Sequence, residues 1–509
     1  MLAKWLTSFL KWAGKMTLIS LKFFVLLSAS LIAYYALPKK QKYVLFITSL
    51  VFFAAASKEK LIFMTAILFL VIATAYFGSL LISSEKIAKK RLLVVVCSLA
   101  IIVANLVVLK YLFNVGNMIL SLFDIQKDIS FLDFAAPIGL SYFSLNAIGY
   151  VLDVYWQSYR AEKNPVNVAL FINYFPQIVS GPVTRFSEMN VQFNAIHAPD
   201  YDEAVYGIRR MIFGYMKKLV VADRLGQIVL LIYQNDISAQ SGVMLFFGVV
   251  CYAFQLYADF SGCMDIILGT SKLYGISLPE NFDAPFFSRT LPEFWRRWHI
   301  SLGNWFRDYV MYPILKTNVF QSLGQKSKKA FGKKYGKKIP TYLSTVILWA
   351  LIGLWHGGTG YYFMASAVLP GVLLIFSDIT QPLFSKKRLP HFFQSLRTFC
   401  IMLICWTFVC TQSVSDAFGV CKQILFAPQF SLFKSNWAML NLPLRHAFPL
   451  LAGFLIMIIA DTLHNRKTPI NTIIDKQPLL VRIAAVYTEL ALVLLFGLVG
   501  QSSFIYFKF

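Results

Sequence analysis

Two histidines in unusual company are where this chain could do chemistry. The stretch Leu291–Pro313 reads LPEFWRRWHISLGNWFRDYVMYP and contains His299, while Trp349–Gly358 reads WALIGLWHGG and contains His356. The chain has only six histidines. An imidazole titrates near neutrality and can act as general base toward a hydroxyl. Ionisable groups in or beside hydrophobic segments are costly, and where they occur they tend to be functional. Gly357 and Gly358 would let backbone or substrate come close to His356. The structural alternative is a neutral histidine hydrogen-bonded between helices. On the residues alone, both readings stand for both histidines.

A third constellation is Tyr257–Asp265, YADFSGCMD, with two carboxylates six residues apart at the end of an apolar run. Asp259 could fix a histidine, close a cavity with an arginine, or belong to a structural ion pair. The seven cysteines form no CxxC and no metal-ligand spacing, so no metal site is expected. No GxxxxGK[ST], GxGxxG, HExxH or GxSxG stands in a supporting context, so nothing points to ATP hydrolysis, a nicotinamide cofactor, zinc or a serine nucleophile.

The elements that must position these residues are membrane helices. Of 509 residues 58% are hydrophobic and only 14% charged, and the mean hydropathy is +0.62. A soluble domain would carry about a quarter charged residues. Apolar runs recur, among them Thr17–Leu37, Leu61–Ile82, Leu92–Phe113, Val243–Leu256, Tyr342–Trp355 and Ile483–Gly500. The expectation is an all-α polytopic membrane protein with about 10–12 membrane segments plus interfacial helices. The N-terminus is read as a retained first helix rather than a cleaved signal, preceded by a short interfacial helix on Leu2, Trp5, Leu6, Phe9 and Trp12.

The net charge of +24 lies between apolar segments. It therefore predicts cytoplasmic loops beside anionic membrane lipid rather than a nucleic-acid partner. Lys316–Lys338 holds eight lysines and no acid and is read as a cytoplasmic loop. A basic vestibule would also attract an anionic donor such as a coenzyme A thioester.

One integrated membrane domain is expected, divided into N-terminal helices (1–130), a core (131–375) and C-terminal helices (376–509). Within the core, Ala136–Phe143 and Asn173–Pro182 place Pro, Gly and polar groups inside apolar runs. Such breaks are tolerated where backbone is buried in protein or lines a watery cavity, which predicts a cavity in the middle of the fold. Glu293–Tyr309 reads as one interfacial helix with Thr290 as N-cap and Pro292 in its first turn. Phe294, Trp295, Trp298, Leu302, Trp305, Phe306 and Tyr309 share one face, Arg296, Gly303, Asn304 and Arg307 the other, and His299 sits at the border.

These segments resemble the membrane-bound O-acyltransferase family in its bacterial, alginate O-acetyltransferase-like branch. The resemblance rests on APIGLSYF (Ala136–Phe143), YFPQIVSGPVTR (Tyr174–Arg185), YADFSGCMD (Tyr257–Asp265), PENF (Pro279–Phe282), FWRRWHISLGNWFRDY (Phe294–Tyr309) and GLWHG (Gly353–Gly357). It extends from about Leu21 to the last helix. It implies a ring of helices around a central funnel or tunnel, with His356 as principal catalytic histidine and His299 as the second histidine of the reaction centre. The substrate-binding candidates are Trp295, Arg296, Trp298, Asn304, Arg307, Asp259 and Trp355.

The activity implied is acyl transfer in a bacterial cytoplasmic membrane. An acyl group, acetyl from acetyl-CoA, would pass from the cytoplasm toward O-acetylation of an envelope or secreted polysaccharide. No resident cofactor is implied. A membrane-anchored extracytoplasmic acyltransferase partner would complete the transfer. D-alanyl transfer from a carrier protein, for teichoic acid modification, is the alternative within the family. A lipid or polymer transporter or flippase is the alternative from another class.

Overall fold

The computed structural model describes residues 16–57, 60–122, 139–234, 236–357, 360–384, 389–411, 413–440, 444–498 and 504. The expected interfacial helix at the N-terminus, Ala136–Ile138 of the first broken segment, and Gly358 lie outside the described residues. Among those described, the regular structure is helical, with one isolated antiparallel bridge between Phe282 and Trp298. Eight helices are long and apolar enough to cross a membrane, from Leu61–Ser83 to Leu479–Phe496. Leu21–Ala36 and Pro38–Ala56 would make a ninth span as one bent pair, their axes turned by 111°. Pro38 sets that bend, because its ring disfavours helix at Leu37 yet suits the first turn of the next element. This is an all-α, multi-pass membrane protein.

The spans differ in what surrounds them. Gly242–Lys272 is 67% buried in protein, Leu479–Phe496 only 6%. The first packs against other helices, whereas the second offers its leucines and valines to lipid. The chain divides into two compact units. One comprises residues up to Met211 with Met264–Pro279, the other Ile212–Cys263 with Glu280–Phe509.

In the first unit, Leu61–Ser83, Arg91–Leu122 and Leu140–Tyr155 pack on one another. Tyr34 Oη donates to the Tyr274 carbonyl at 3.0 Å and Tyr35 Oη to that of Leu273 at 2.7 Å. These two bonds satisfy carbonyls at a helix end that no further turn can reach. The two broken segments meet directly. Gly139 starts the Leu140–Tyr155 helix at φ 75°, and a Cβ there would lie 1.9 Å from the Ile178 carbonyl oxygen. Around Ile178 the backbone is irregular and buried, with Phe175 N–H donating to Ser49 Oγ at 3.0 Å and Gln177 Nε2 to Thr184 Oγ1 at 2.8 Å. Side chains thus bond part of the break within protein, and the cavity that holds the two histidines is lined by other segments.

In the second unit a wide π-type turn, Met216–Ala222, brings positions five apart onto one side. Lys218 Nζ therefore reaches Asp223 at 2.8 Å, and it meets Asp259 of the long helix at 2.7 Å. All three side chains are buried. Burial pulls the Lys218 ammonium down, but Asp259 and Asp223 outweigh it and hold it above the usual lysine value. The segment expected as a basic loop contains a helix, Asn318–Gly336. Thr317 caps it by accepting from Phe320 N–H, and its lysines, glutamines and alanine are good helix formers.

Two stability predictions follow from this packing. Gly139→Ala should cost about 1–3 kcal/mol or more, since it combines a left-handed backbone with a clash against a carbonyl; an unchanged thermal midpoint in detergent would contradict the contact. Lys218→Met should cost about 3–5 kcal/mol by stranding two buried carboxylates. Adding Asp259→Asn to it should recover part of that loss in the same assay.

Candidate active site

The expected continuous helix over Glu293–Tyr309 is broken. Leu291–Arg297 is one helix and Ile300–Phe306 another, and between them Trp298 is extended and His299 left-handed at φ 49°, ψ 51°. Thr290 does cap the first piece, its side chain accepting from Glu293 N–H. The loop Pro279–Asp283 causes the break by running antiparallel to the strand-like joint. Asp283 N–H donates to the Arg297 carbonyl and Ile300 N–H to that of Asn281, both at 3.0 Å. Asn281 Oδ1 accepts from Ser301 N–H at 3.0 Å and from Ser301 Oγ at 2.9 Å. A positive φ is uncommon outside glycine and needs such over-determination to persist.

His299 is thereby fixed at an N-cap, buried, with its ring edge-on to Phe260 at 4.8 Å. Its Nδ1 lies 3.4 Å from Asn281 Oδ1. That atom is identified as oxygen by the backbone N–H it accepts from, so in this contact Nδ1 is the donor and Nε2 holds the lone pair. Burial, joined by neighbouring His356, holds His299 well below the usual histidine value, and it is neutral.

His356 is the last residue of the Ile339–His356 helix, buried, and followed by Gly357 at φ 142°. Side chains rarely adopt that backbone, so a glycine ends the helix here and lets the chain turn away. The two imidazole centres are 6.4 Å apart. That is beyond direct hydrogen bonding between the rings and leaves room for a reacting group. Trp355 packs on His356 at 4.8 Å and Tyr362 at 5.9 Å.

Both histidines line a cavity of about 430 Å³. Of the other candidates, Trp295, Arg296, Trp298, Asn304 and Arg307 line it as well. The break explains why members of both expected helix faces meet there, since the two short helices no longer share one wheel. Trp355 stands behind the histidines rather than in the wall, and Asp259 is committed to Lys218. Asp259 adjoins in sequence Phe260, whose ring packs on His299. Among the described residues no carboxylate lines the cavity, whereas Arg296 does, as does Arg307 with Asp308 at 3.4 Å beside it, so the walls favour an anion. Trp349, Tyr362 and Trp406 are lining residues that sequence reasoning missed, although Trp349 stands one helical face from His356. Asn281 is a further residue not foreseen, although PENF is among the segments that carry the resemblance.

The sequence profile of the membrane-bound O-acyltransferase family matches residues 155–415, just over half of the chain. That stretch is narrower than the one from Leu21 to the last helix, yet it contains every cavity-lining residue. Over 233 residues the chain is 34% identical to a probable alginate O-acetylase of Pseudomonas syringae pv. tomato, covering 45% of this chain and 41% of that protein. It is 27% identical over 316 residues to a peptidoglycan O-acetyltransferase of Helicobacter pylori, covering 56% of each. It is 30% identical over 252 residues to a teichoic acid D-alanyltransferase of Streptococcus thermophilus, covering 47% of this chain and 56% of that one. The matches thus span between 41% and 56% of these relatives' lengths. By its family match, and with both histidines inside it, this chain belongs to the membrane-bound O-acyltransferase family.

Proposed function

We propose that this protein is an O-acyltransferase of a bacterial cytoplasmic membrane. It takes an acyl group, acetyl first among candidates, from a cytoplasmic thioester donor, acetyl-CoA, for O-acetylation of an envelope or secreted polysaccharide. The observation that carries the proposal is the pair of buried histidines facing one cavity at a 6.4 Å ring separation. Family membership and the acetyl-transferring relatives support the reaction class.

In this reading His356 accepts the proton of the acceptor hydroxyl as its oxygen attacks the thioester carbonyl carbon. The C–S bond then breaks, and the imidazolium returns that proton to the departing thiolate. His299, neutral and with its lone pair at Nε2, accepts a hydrogen bond from the bound substrate and keeps it in register with His356. Arg296 and Arg307 meet the donor's negative charge, and Trp295, Trp298 and Asn304 shape the wall. The acceptor hydroxyl of this step belongs to a membrane-anchored extracytoplasmic acyltransferase, which then passes the acyl group to a polymer hydroxyl and regains its own. A D-alanyl group from a carrier protein is the second reading, favoured by the teichoic acid D-alanyltransferase among the relatives.

Membranes supplied with radiolabelled acetyl-CoA and native envelope should transfer label to polymer with the wild type. With His356→Ala transfer should fall about 100-fold or more at unchanged expression and folding. Absence of label with both proteins, while a D-alanyl carrier supports transfer, would replace the acetyl reading with the second one; cargo movement that survives His356→Ala would point to a transporter. Asn281→Ala should lower the rate and remove about 1–3 kcal/mol of stability, because it orphans buried donors of Ser301. Full activity in that variant would separate the loop from the site.

A further inference from the structure

The sequence marks Lys316–Lys338 as a cytoplasmic loop, whereas in the structure it closes into a lobe. The helix Asn318–Gly336 kinks at Gly332, where φ is 73° and ψ 167°. The chain then folds back so that Ser327 Oγ donates to the Gly336 carbonyl at 2.7 Å. A Cβ on Gly336 would come within 2.1 Å of the Ser327 carbonyl oxygen, so the closure needs glycine at that point. Ser327 and Gly336 are buried in the joint.

Closure gathers a dense positive charge. Of the eight lysines in Lys316–Lys338, Lys338 is held by Asp378 at 2.6 Å. The other seven have no carboxylate partner among the described residues, and Lys326, Lys328, Lys329, Lys333 and Lys334 are exposed. Two aromatic rings stand among them in the open, Phe331 at 64% exposure and Tyr335 at 63%. Lys334 Nζ lies 5.3 Å over the Tyr335 ring. Three residues beyond Gly336 begins Ile339–His356, a helix able to cross the membrane. Residues so close to the start of a span stand at the level of the lipid headgroups, where aromatic rings partition and lysines meet anionic lipid.

We propose that this lobe is a binding site for anionic phospholipid headgroups, with Phe331 and Tyr335 inserted at the interface and the surrounding lysines on the phosphates. Charge complementarity selects an acidic surface, and the two rings select a lipid one over a dissolved anion. The lobe joins the cavity-lining segment around Arg307 and Met311 to the helix that ends in His356. Its proposed binding does not depend on the acyltransferase reading.

The test uses the full chain in nanodiscs of phosphatidylcholine alone or with phosphatidylglycerol added, and follows chymotrypsin cleavage after Phe331 and Tyr335. Phosphatidylglycerol should slow cleavage about fivefold or more, and high salt should abolish the difference. Replacing Lys326, Lys328, Lys329, Lys333 and Lys334 by glutamine should remove the protection, while arginine at the same five positions should keep it. Equal cleavage of the wild type on both lipids overturns the proposal. So does equal protection by dissolved coenzyme A on phosphatidylcholine alone, which would make the site one for a soluble anion.

Discussion

Everything at the candidate site depends on one joint, where the loop bearing Asn281 is hydrogen-bonded across Arg297–Ser301. A continuous helix through this region would use the amides of Ile300 and Ser301 internally and keep His299 on a helical wheel. The joint instead diverts those amides to the Asn281 carbonyl and Oδ1, and diverts the Arg297 carbonyl to Asp283. Left-handed backbone at a residue with a side chain costs about 1–2 kcal/mol. Several buried hydrogen bonds, each contributing roughly 0.5–1.5 kcal/mol, are enough to offset it. His299 is thereby aimed by backbone geometry rather than by its own rotamer.

His356 is aimed by the same kind of device with the opposite polarity. One histidine precedes a helix, the other ends one, and in each case a backbone conformation rare for side chains sits at the boundary, at His299 itself and at Gly357. Helix ends place side chains more rigidly than loops do, because the first or last turn is already hydrogen-bonded. Aromatic rings then pack around them: Phe260 on His299, Trp355 on both, Tyr362 on His356. Phe260 is itself held by a helix whose neighbouring residue, Asp259, is pinned to Lys218. A charge cluster that does not line the cavity therefore still bears on where His299 can go.

What could be read in the sequence was whatever depends on composition, local spacing and caps. The apolar runs announced membrane helices, Thr290 announced a helix start, and Gly139 and the Asn173–Pro182 segment announced breaks. The two histidines stood out by their tryptophan neighbours. What could not be read depends on partners distant in the chain. A helical wheel assumes one continuous helix, so it has no means of seeing that Asn281 would interrupt Glu293–Tyr309 at His299. Asp259 offered a carboxylate, but its partner Lys218 lies 41 residues earlier and faces it only because of a π-type turn. The lysine-rich segment looked like a loop because its charge was weighed as topology and its good helix formers were passed over.

Two imidazoles this close in a buried wall cannot cheaply both be protonated, because each charge would lack water and repel the other. At most one of the two rings can therefore carry a positive charge cheaply. A carboxylate in the same wall would stabilise the imidazolium, and among the described residues none lines the cavity. The positive side chains in the wall are Arg296 and Arg307. In the proposed reaction, attraction for an anion and acceptance of a proton would fall to different residues.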